Sequence, residues 1–283
     1  MLIVNPIAGG GSTLRKLPEV LRFLEENSWK CRVFTSGHPG HAEELARKLA
    51  LENQIIIAIG GDGTVNEVMR GVLGSPSAMA IIPCGSGNDI AASFGINRHN
   101  ALPILASGRI QKVDIAFVND QPFLGVASCG LDTEVNRTAN RIPRLIKGAL
   151  LYTLALGIAL VKYKPMEIHI TTPEKSYTEK VMLLAVGHGD RYGGGMKITP
   201  LAKRDDGLLD LCLVKNLSKW MLLFIFPKVF SGKHIKHPKV IYSQAESIKI
   251  QGTGEVFADG DRKTQLPAQY RLQPGLLNLF LPK

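Results

Sequence analysis

Residues 60–67 read Gly-Gly-Asp-Gly-Thr-Val-Asn-Glu and follow the apolar run Ile55-Ile56-Ile57-Ala58-Ile59. A buried strand that runs straight into three glycines lets backbone N–H groups approach an anion, because no Cβ stands in the way. Thr64 adds a hydroxyl, and Asp62 adds a carboxylate for a metal or a bound hydroxyl. The helix expected from about Val65 would point its positive end at the same spot. A plain strand-to-helix turn would also use glycine, but it gives Asp62 no structural task. Further glycine-rich loops occur at residues 5–11 and 85–88. Phosphate binding is therefore the expectation. The chain has no Gly-x-x-x-x-Gly-Lys-Ser/Thr, and no Gly-x-Gly-x-x-Gly follows a strand. Both common nucleotide fingerprints are thus missing.

Two acidic turns lie far downstream, Asp205-Asp206-Gly207 and Asp259-Gly260-Asp261. Phosphoryl transfer needs phosphate positioning, charge neutralisation by a divalent cation and a base for the acceptor proton. Carboxylates on turns suit the last two tasks, although each tripeptide also reads as an ordinary turn. Two histidine pairs, His38/His41 and His234/His237, have no further ligands in reach and read as surface or loop histidines.

The elements that must carry these residues change type along the chain. Strands at residues 2–4, 30–35, 55–59 and 78–82 alternate with helices at 14–27, 42–51 and 65–73. Repeated strand–helix–strand units imply a parallel sheet with helices on both faces, and ligands beyond the carboxyl ends of its strands. From about residue 113 the pattern is strand after strand: 112–118, 123–128, 166–171, 180–187, 208–214, 247–251 and 276–281. Turns separate them, as in a mainly antiparallel, β-sandwich-like domain. The division reads as an α/β domain over residues 1–118 and a β-rich domain over 119–283.

Two apolar helical segments interrupt the second domain, at 137–162 and 219–230, and neither reaches the roughly 20 apolar residues of a membrane span. Arg137, Arg141, Arg144 and Lys147 would share one helical face just before an apolar run. Residues 1–118 carry 11 basic and 10 acidic side chains, whereas 119–283 carry 23 and 14. The excess positive charge thus belongs to the second domain. A basic face beside an apolar segment suits reversible docking on an anionic membrane. Four scattered cysteines and an opening without a basic-then-apolar leader suit a reducing cytoplasm.

Taken in order, residues 60–67, Pro83-Cys84-Gly85-Ser86-Gly87-Asn88-Asp89, Gly193-Gly194-Gly195-Met196, Asp205-Asp206-Gly207 and Asp259-Gly260-Asp261 resemble the bacterial diacylglycerol kinase family of soluble lipid kinases. That family shares a fold with NAD kinases, and the resemblance spans nearly the whole chain. It implies a diacylglycerol kinase catalytic domain followed by a lipid-binding domain. It implies ATP contacts from Asn5, Pro6, Gly9, Gly10, Thr35, Gly60, Gly61, Asp62, Gly63, Thr64, Asn66, Glu67, Ser86 and Asn88. Ser86 stands where the family usually has threonine. It implies Mg²⁺ held by Asp206, by the carbonyl of Leu208 and at Lys203, where only the backbone carbonyl or a water could serve. Asp259 is the expected general base with Asp261 in support, Asp261 replacing the family's glutamate; Asp62 completes the catalytic set.

The expected activity is transfer of the ATP γ-phosphoryl group to the hydroxyl of a membrane lipid, diacylglycerol foremost, giving phosphatidic acid. The expected partners are that lipid and an anionic membrane surface at the cytoplasmic face. No nucleic acid is expected, and a homodimer is allowed. An NAD kinase would share residues 60–64 but would not need the loop after residue 83 or Asp259-Gly260-Asp261. A non-catalytic regulator that binds nucleotide or lipid is the alternative from another class.

Overall fold

In the computed structural model, which describes residues 1–50, 54–142 and 148–283, the apolar runs of the first hundred residues are strands buried along almost their whole length. They are β1 (Leu2–Val4), β3 (Ile55–Gly60) and β4 (Ala78–Pro83), with a short edge strand β2 (Val33–Thr35). All pair in parallel, in the order β2–β1–β3–β4. Burial of every position, without alternation, is what a strand covered on both faces requires.

Helices α1 (Ser12–Glu26), α2 (His41–Leu49), α3 (Asp62–Val72), α4 (Asp89–Ser93) and α5 (Ala101–Ser107) connect these strands or follow them. On α3, Val65, Val68, Met69 and Val72 are buried at helical spacing. Gly71 lets α3 touch α2, since a Cβ there would lie 2.5 Å from the Glu43 carbonyl oxygen. Helix α3 starts at Asp62, not at Val65, so Asp62, Gly63 and Thr64 belong to the helix rather than to the loop before it.

The chain divides into two units, Met1–Asp114 with Pro274–Lys283, and Ile115–Gln273. The division falls inside strands β5 (Arg109–Val118) and β15 (Ala268–Leu281). The final strand was expected among antiparallel partners of the second domain. Its last residues instead extend the first unit's sheet, where Asn278 and Leu279 pair in parallel with Ala78 and Met79 of β4.

The second unit is built on antiparallel strands. β6 (Gln121–Phe123) pairs with β5. β7 (Val126–Gly130), β8 (Met166–Thr171) and β10 (Leu209–Lys215) all pair with the twelve-residue β9 (Ser176–Gly187). β11 (Val240–Ala245) pairs with β10, and β12 (Ser247–Gln251) joins β8 to β15. β13 (Glu255–Ala258) pairs with β7 and with β14 (Asp261–Gln265). Side chains alternate between two cores: Leu184, Val186, Leu211 and Leu213 enter one, and Ala185, Cys212 and Val214 the other.

Helices α6 (Leu131–Arg141), α7 (Gly148–Lys162) and α8 (Lys219–Ile225) contribute Leu131, Leu156 and Leu222 to the second of these cores. The single basic helix expected from Arg137 is thus two helices. Arg137 pairs with Glu134 at 2.8 Å and also with Glu255, so its charge is locally matched, and Arg144 and Lys147 lie outside the described residues. His234 corrects another expectation, for it is fully buried rather than on the surface. Among the described residues no helix is long and apolar enough to cross a membrane.

Candidate functional site

Strand register decides which loops of the first unit meet. Val4 stands opposite both Thr35 and Ile59, and Gly60 stands opposite Pro83. The loops after β1, β3 and β4 therefore leave from one edge, the carboxyl edge where parallel sheets bind ligands. They also touch. Asn5 Nδ2 donates to the buried Thr64 Oγ1 at 3.2 Å, and a Cβ on Gly85 would lie 2.5 Å from the Cα of Gly61. Gly9 is fixed twice over: its φ is +57°, and a Cβ would lie 2.1 Å from the Cys84 carbonyl oxygen.

Gly63 differs from these. It is exposed, and a Cβ added to it would meet no neighbouring heavy atom within 4 Å, so protein packing does not demand glycine there. It lies in the first turn of α3, whose N-cap Gly61 offers no side-chain acceptor. N–H groups of that turn have no intrahelical partner and suit an anion. Asn66, one turn on, is fully buried, and neither atom of its amide has a hydrogen-bond partner among the described residues. A bound polar ligand or a water satisfies such a group.

Other expected contacts have structural work of their own. Asp62 Oδ1 accepts the Ile90 N–H at 2.9 Å and so fastens the start of α4, a task that the sequence did not disclose. Both oxygens of Glu67 accept backbone N–H groups, from Gly40 at 3.0 Å and Ala42 at 3.1 Å, and cap α2. Glu67 thereby positions the start of α2. Asn88 closes its own loop through both the N–H and the carbonyl of Gly85, at 2.7 and 2.9 Å. Thr35, Ser86 and Gly10 are exposed at the same edge, and Pro6 follows Asn5 in the turn after β1.

Three cations join the site that the motifs did not announce. A cavity of about 220 Å³ is lined by Ser12, Arg15, Lys16, Pro83, Cys84 and Arg98. Arg15 and Lys16 directly after a glycine loop were a usable signal; Arg98, from the segment after α4, was not. Its guanidinium donates to the Gly85 carbonyl, which places it there. Burial holds the Cys84 thiol above its ordinary range against the pull of Arg98 and Lys16, so it stays neutral.

In the second unit, Asp259-Gly260 forms the two-residue turn between β13 and β14, with Ala258 opposite Asp261. Both turn residues have positive φ, +51° and +89°, as a primed hairpin turn requires. The Asp259 carboxylate accepts the Leu124 N–H at 2.7 Å and the Gly125 N–H at 2.8 Å. Asp261 is exposed, with Lys263 Nζ 3.5 Å away. Arg204 donates to the Leu124 carbonyl at 2.9 Å; burial pulls its pKa down to about 10, against the favourable charges of Asp259 and Asp190. Arg204 thus joins the turn at residues 203–208 to the Asp259 hairpin.

In that turn Asp206 Oδ1 accepts the Leu208 N–H at 3.0 Å, and Gly207 has a φ of +72°. Lys203 and Asp206 are exposed and Leu208 is half-buried. Among the described residues no group of three or more His, Cys, Asp or Glu side chains comes together to hold a metal. One carboxylate, with the Lys203 and Leu208 carbonyls, is an all-oxygen donor set. It fits a Mg²⁺ that keeps several waters rather than a cation stripped of them.

Residues 1–118 match the family model of the diacylglycerol kinase catalytic domain, and residues 125–281 match that of the YegS C-terminal NAD kinase beta sandwich-like domain. A diacylglycerol kinase from Mycobacterium tuberculosis is 29% identical over 99% of this chain and 94% of its own length. One from Staphylococcus haemolyticus is 32% identical over 95% of this chain and 84% of its own. A crystal structure of a diacylglycerol kinase from Bacillus anthracis superposes with a TM-score of 0.76 at 25% identity, covering 99% of this chain and 95% of that one. By sequence along its whole length and by fold, the chain belongs to the bacterial diacylglycerol kinase family of lipid kinases.

Proposed function

We propose that the protein transfers the γ-phosphoryl group of ATP to the hydroxyl of diacylglycerol in a membrane, giving phosphatidic acid. The observation that carries the ATP half is the meeting of three strand-end loops at one edge, with the open first turn of α3 at Gly63 among them. The N–H groups of that turn take phosphate oxygens, and Asn5, Thr64 and Asn66 add polar contacts. Arg15, Lys16 and Arg98 add positive charge beside them.

Asp261 takes the proton of the lipid hydroxyl. The freed oxygen attacks the γ-phosphorus, and the β–γ bridging oxygen leaves with ADP. This gives Asp261 the role first expected of Asp259, because both oxygens of Asp259 already accept backbone N–H groups. Asp259 and Arg204 position the hairpin and the neighbouring turn. Asp206, with the carbonyls of Lys203 and Leu208, would hold Mg²⁺, which neutralises phosphate charge when bound. Family membership is the support for a lipid acceptor, and diacylglycerol is the acceptor in the names of the relatives. The site of action on this reading is the cytoplasmic face of a membrane.

The test is incubation with radiolabelled ATP, Mg²⁺ and vesicles containing diacylglycerol, ceramide or phosphatidylglycerol, or with NAD, followed by chromatography. Label is expected in phosphatidic acid. Label in another lipid alcohol reassigns the acceptor, label in NADP makes the protein an NAD kinase, and ATP binding without transfer makes it a regulator.

A further inference from the structure

Helix α8 is a short, firmly seated element that turns its largest side chains outward. Ser218 caps it by accepting the Met221 N–H at 3.2 Å. Leu222 and Ile225 are buried beneath it, and Phe226 and Phe230 pack edge to face just beyond, with ring centroids 5.9 Å apart. Yet Trp220 is 76% exposed and Phe224 73%, with Met221 and Leu223 exposed beside them. Trp220 and Phe224 are four residues apart and so share a helix flank. Frayed structure does not explain the exposure, because the cap and the buried face hold the helix in place. An exposed cluster of this kind marks an interaction surface.

The surrounding charge says what kind. No Asp or Glu stands between Asp210 and Glu246, whereas six lysines do. Lys215 is paired with Glu179 at 2.7 Å. Lys228, Lys233, Lys236 and Lys239 are exposed and enter no ion pair among the described residues. Exposed tryptophan with lysines close by is the pattern of a membrane interface. A second copy of this chain fits poorly, since a two-fold contact would set the same lysines against each other.

We propose that α8 is a membrane-docking element. Trp220 and Phe224 enter the headgroup–acyl boundary of an anionic bilayer, and the lysines after them bind its phosphates. The proposal rests on the lipid-kinase reading only in supplying a reason to visit a membrane, and its test uses no ATP. Full-length protein is sedimented with vesicles of equal parts phosphatidylcholine and phosphatidylglycerol, and with phosphatidylcholine alone.

Wild type is expected to sediment with the anionic vesicles. The Trp220→Ser/Phe224→Ser variant should bind them at least tenfold more weakly. Lys228→Gln/Lys233→Gln/Lys236→Gln should do likewise, and added salt should mimic that triple change. Brominated acyl chains should quench tryptophan fluorescence in wild type, and Trp220→Phe should remove the quenched component. Equal sedimentation of wild type and the aromatic variant overturns the proposal. So does a dimer abolished by that variant while vesicle binding is unchanged, which would make the patch a self-association surface. Phosphorylation of diacylglycerol in detergent micelles is followed in parallel and should not change in the aromatic variant. Vesicle binding by a wild type that phosphorylates no lipid removes the kinase reading and leaves the docking element standing.

Discussion

Asp62 has one task seen in the structure, its bond to the Ile90 N–H, and one proposed in the chemistry, and different substitutions separate them. Asp62→Asn keeps an oxygen for the Ile90 N–H but loses the charge. It should fold with a melting temperature close to wild type and lose at least about 100-fold in turnover. Asp62→Ala should lose the same activity and also cost about 1–3 kcal/mol, because a partly buried donor is left unpaired. Thermal melts with an ATP-turnover assay compare them, and near-normal turnover in the asparagine variant would remove Asp62 from the chemistry. The two hairpin aspartates should separate in the same way. Asp261→Asn should melt like wild type and lose about 10²–10⁴-fold in kcat. Asp259→Asn should destabilise by roughly 1–3 kcal/mol, since an amide cannot accept from both Leu124 and Gly125 as the carboxylate does. If Asp259→Asn is stable and inactive while Asp261→Asn turns over, the base is Asp259.

At the level of single elements, the turn at residues 203–208 and the buried His234 give further tests. Asp206 offers the one carboxylate of that turn's proposed oxygen set. Asp206→Asn should therefore raise the Mg²⁺ concentration for half-maximal activity by about tenfold, a loss of about 1.4 kcal/mol in binding. An unchanged Mg²⁺ titration would leave the turn with its backbone role alone. His234 lies in the short helical turn Lys233–Lys236, with Nε2 3.1 Å from the Ile198 carbonyl and Nδ1 without a hydrogen-bond partner among the described residues. Nε2 must carry the proton that faces the carbonyl, so a second proton on Nδ1 would be a buried, unmatched charge. Burial accordingly lowers the His234 pKa, opposed by the bond to Ile198. The unfolded chain then binds that proton first as pH falls. Stability from this group is present above about pH 6.5 and is lost below it, by up to about 1.4 kcal/mol per pH unit, until the folded pKa is reached. Urea unfolding at pH 7.5 and 5.5 should show the loss in wild type and a smaller one in His234→Gln; equal losses would assign the acid sensitivity elsewhere.

For the molecule as a whole, the last ten residues matter more than their position suggests. They belong to the first unit, where Leu277 and Leu279 are buried and Phe280 packs against Trp29. Each large side chain contributes about 1.5–3 kcal/mol when buried, so the three together supply roughly 4–9 kcal/mol. A whole domain is stable by only about 5–15 kcal/mol. A chain ending at Gln273 should therefore fail to give folded, ATP-binding protein. A soluble truncation with wild-type ATP affinity would show that the β4–β15 pairing is dispensable.

Local and repetitive features were legible in the amino-acid order alone. The apolar runs around Ile57 and Ile81 read as buried strands, and the glycines at 60, 61 and 63 mark where the first of them gives way to a helix. The order of motifs placed the chain in its family, because each motif is short and contiguous. Contacts distant along the chain emerged only with the folded structure. The pairing of residue 278 with residue 78 cannot be read from either segment, since both are merely apolar. The partners of Asp62, Glu67 and Asp259 are backbone N–H groups 28, 25 to 27 and about 135 residues away, and a backbone amide has no sequence signature. Arg98 reached the cavity through the fold alone. The burial of Leu222 and Ile225 and the exposure of Trp220 and Phe224 had the same origin. In a segment apolar on nearly every side, periodicity names no inner face; only packing against the second unit's core chose one.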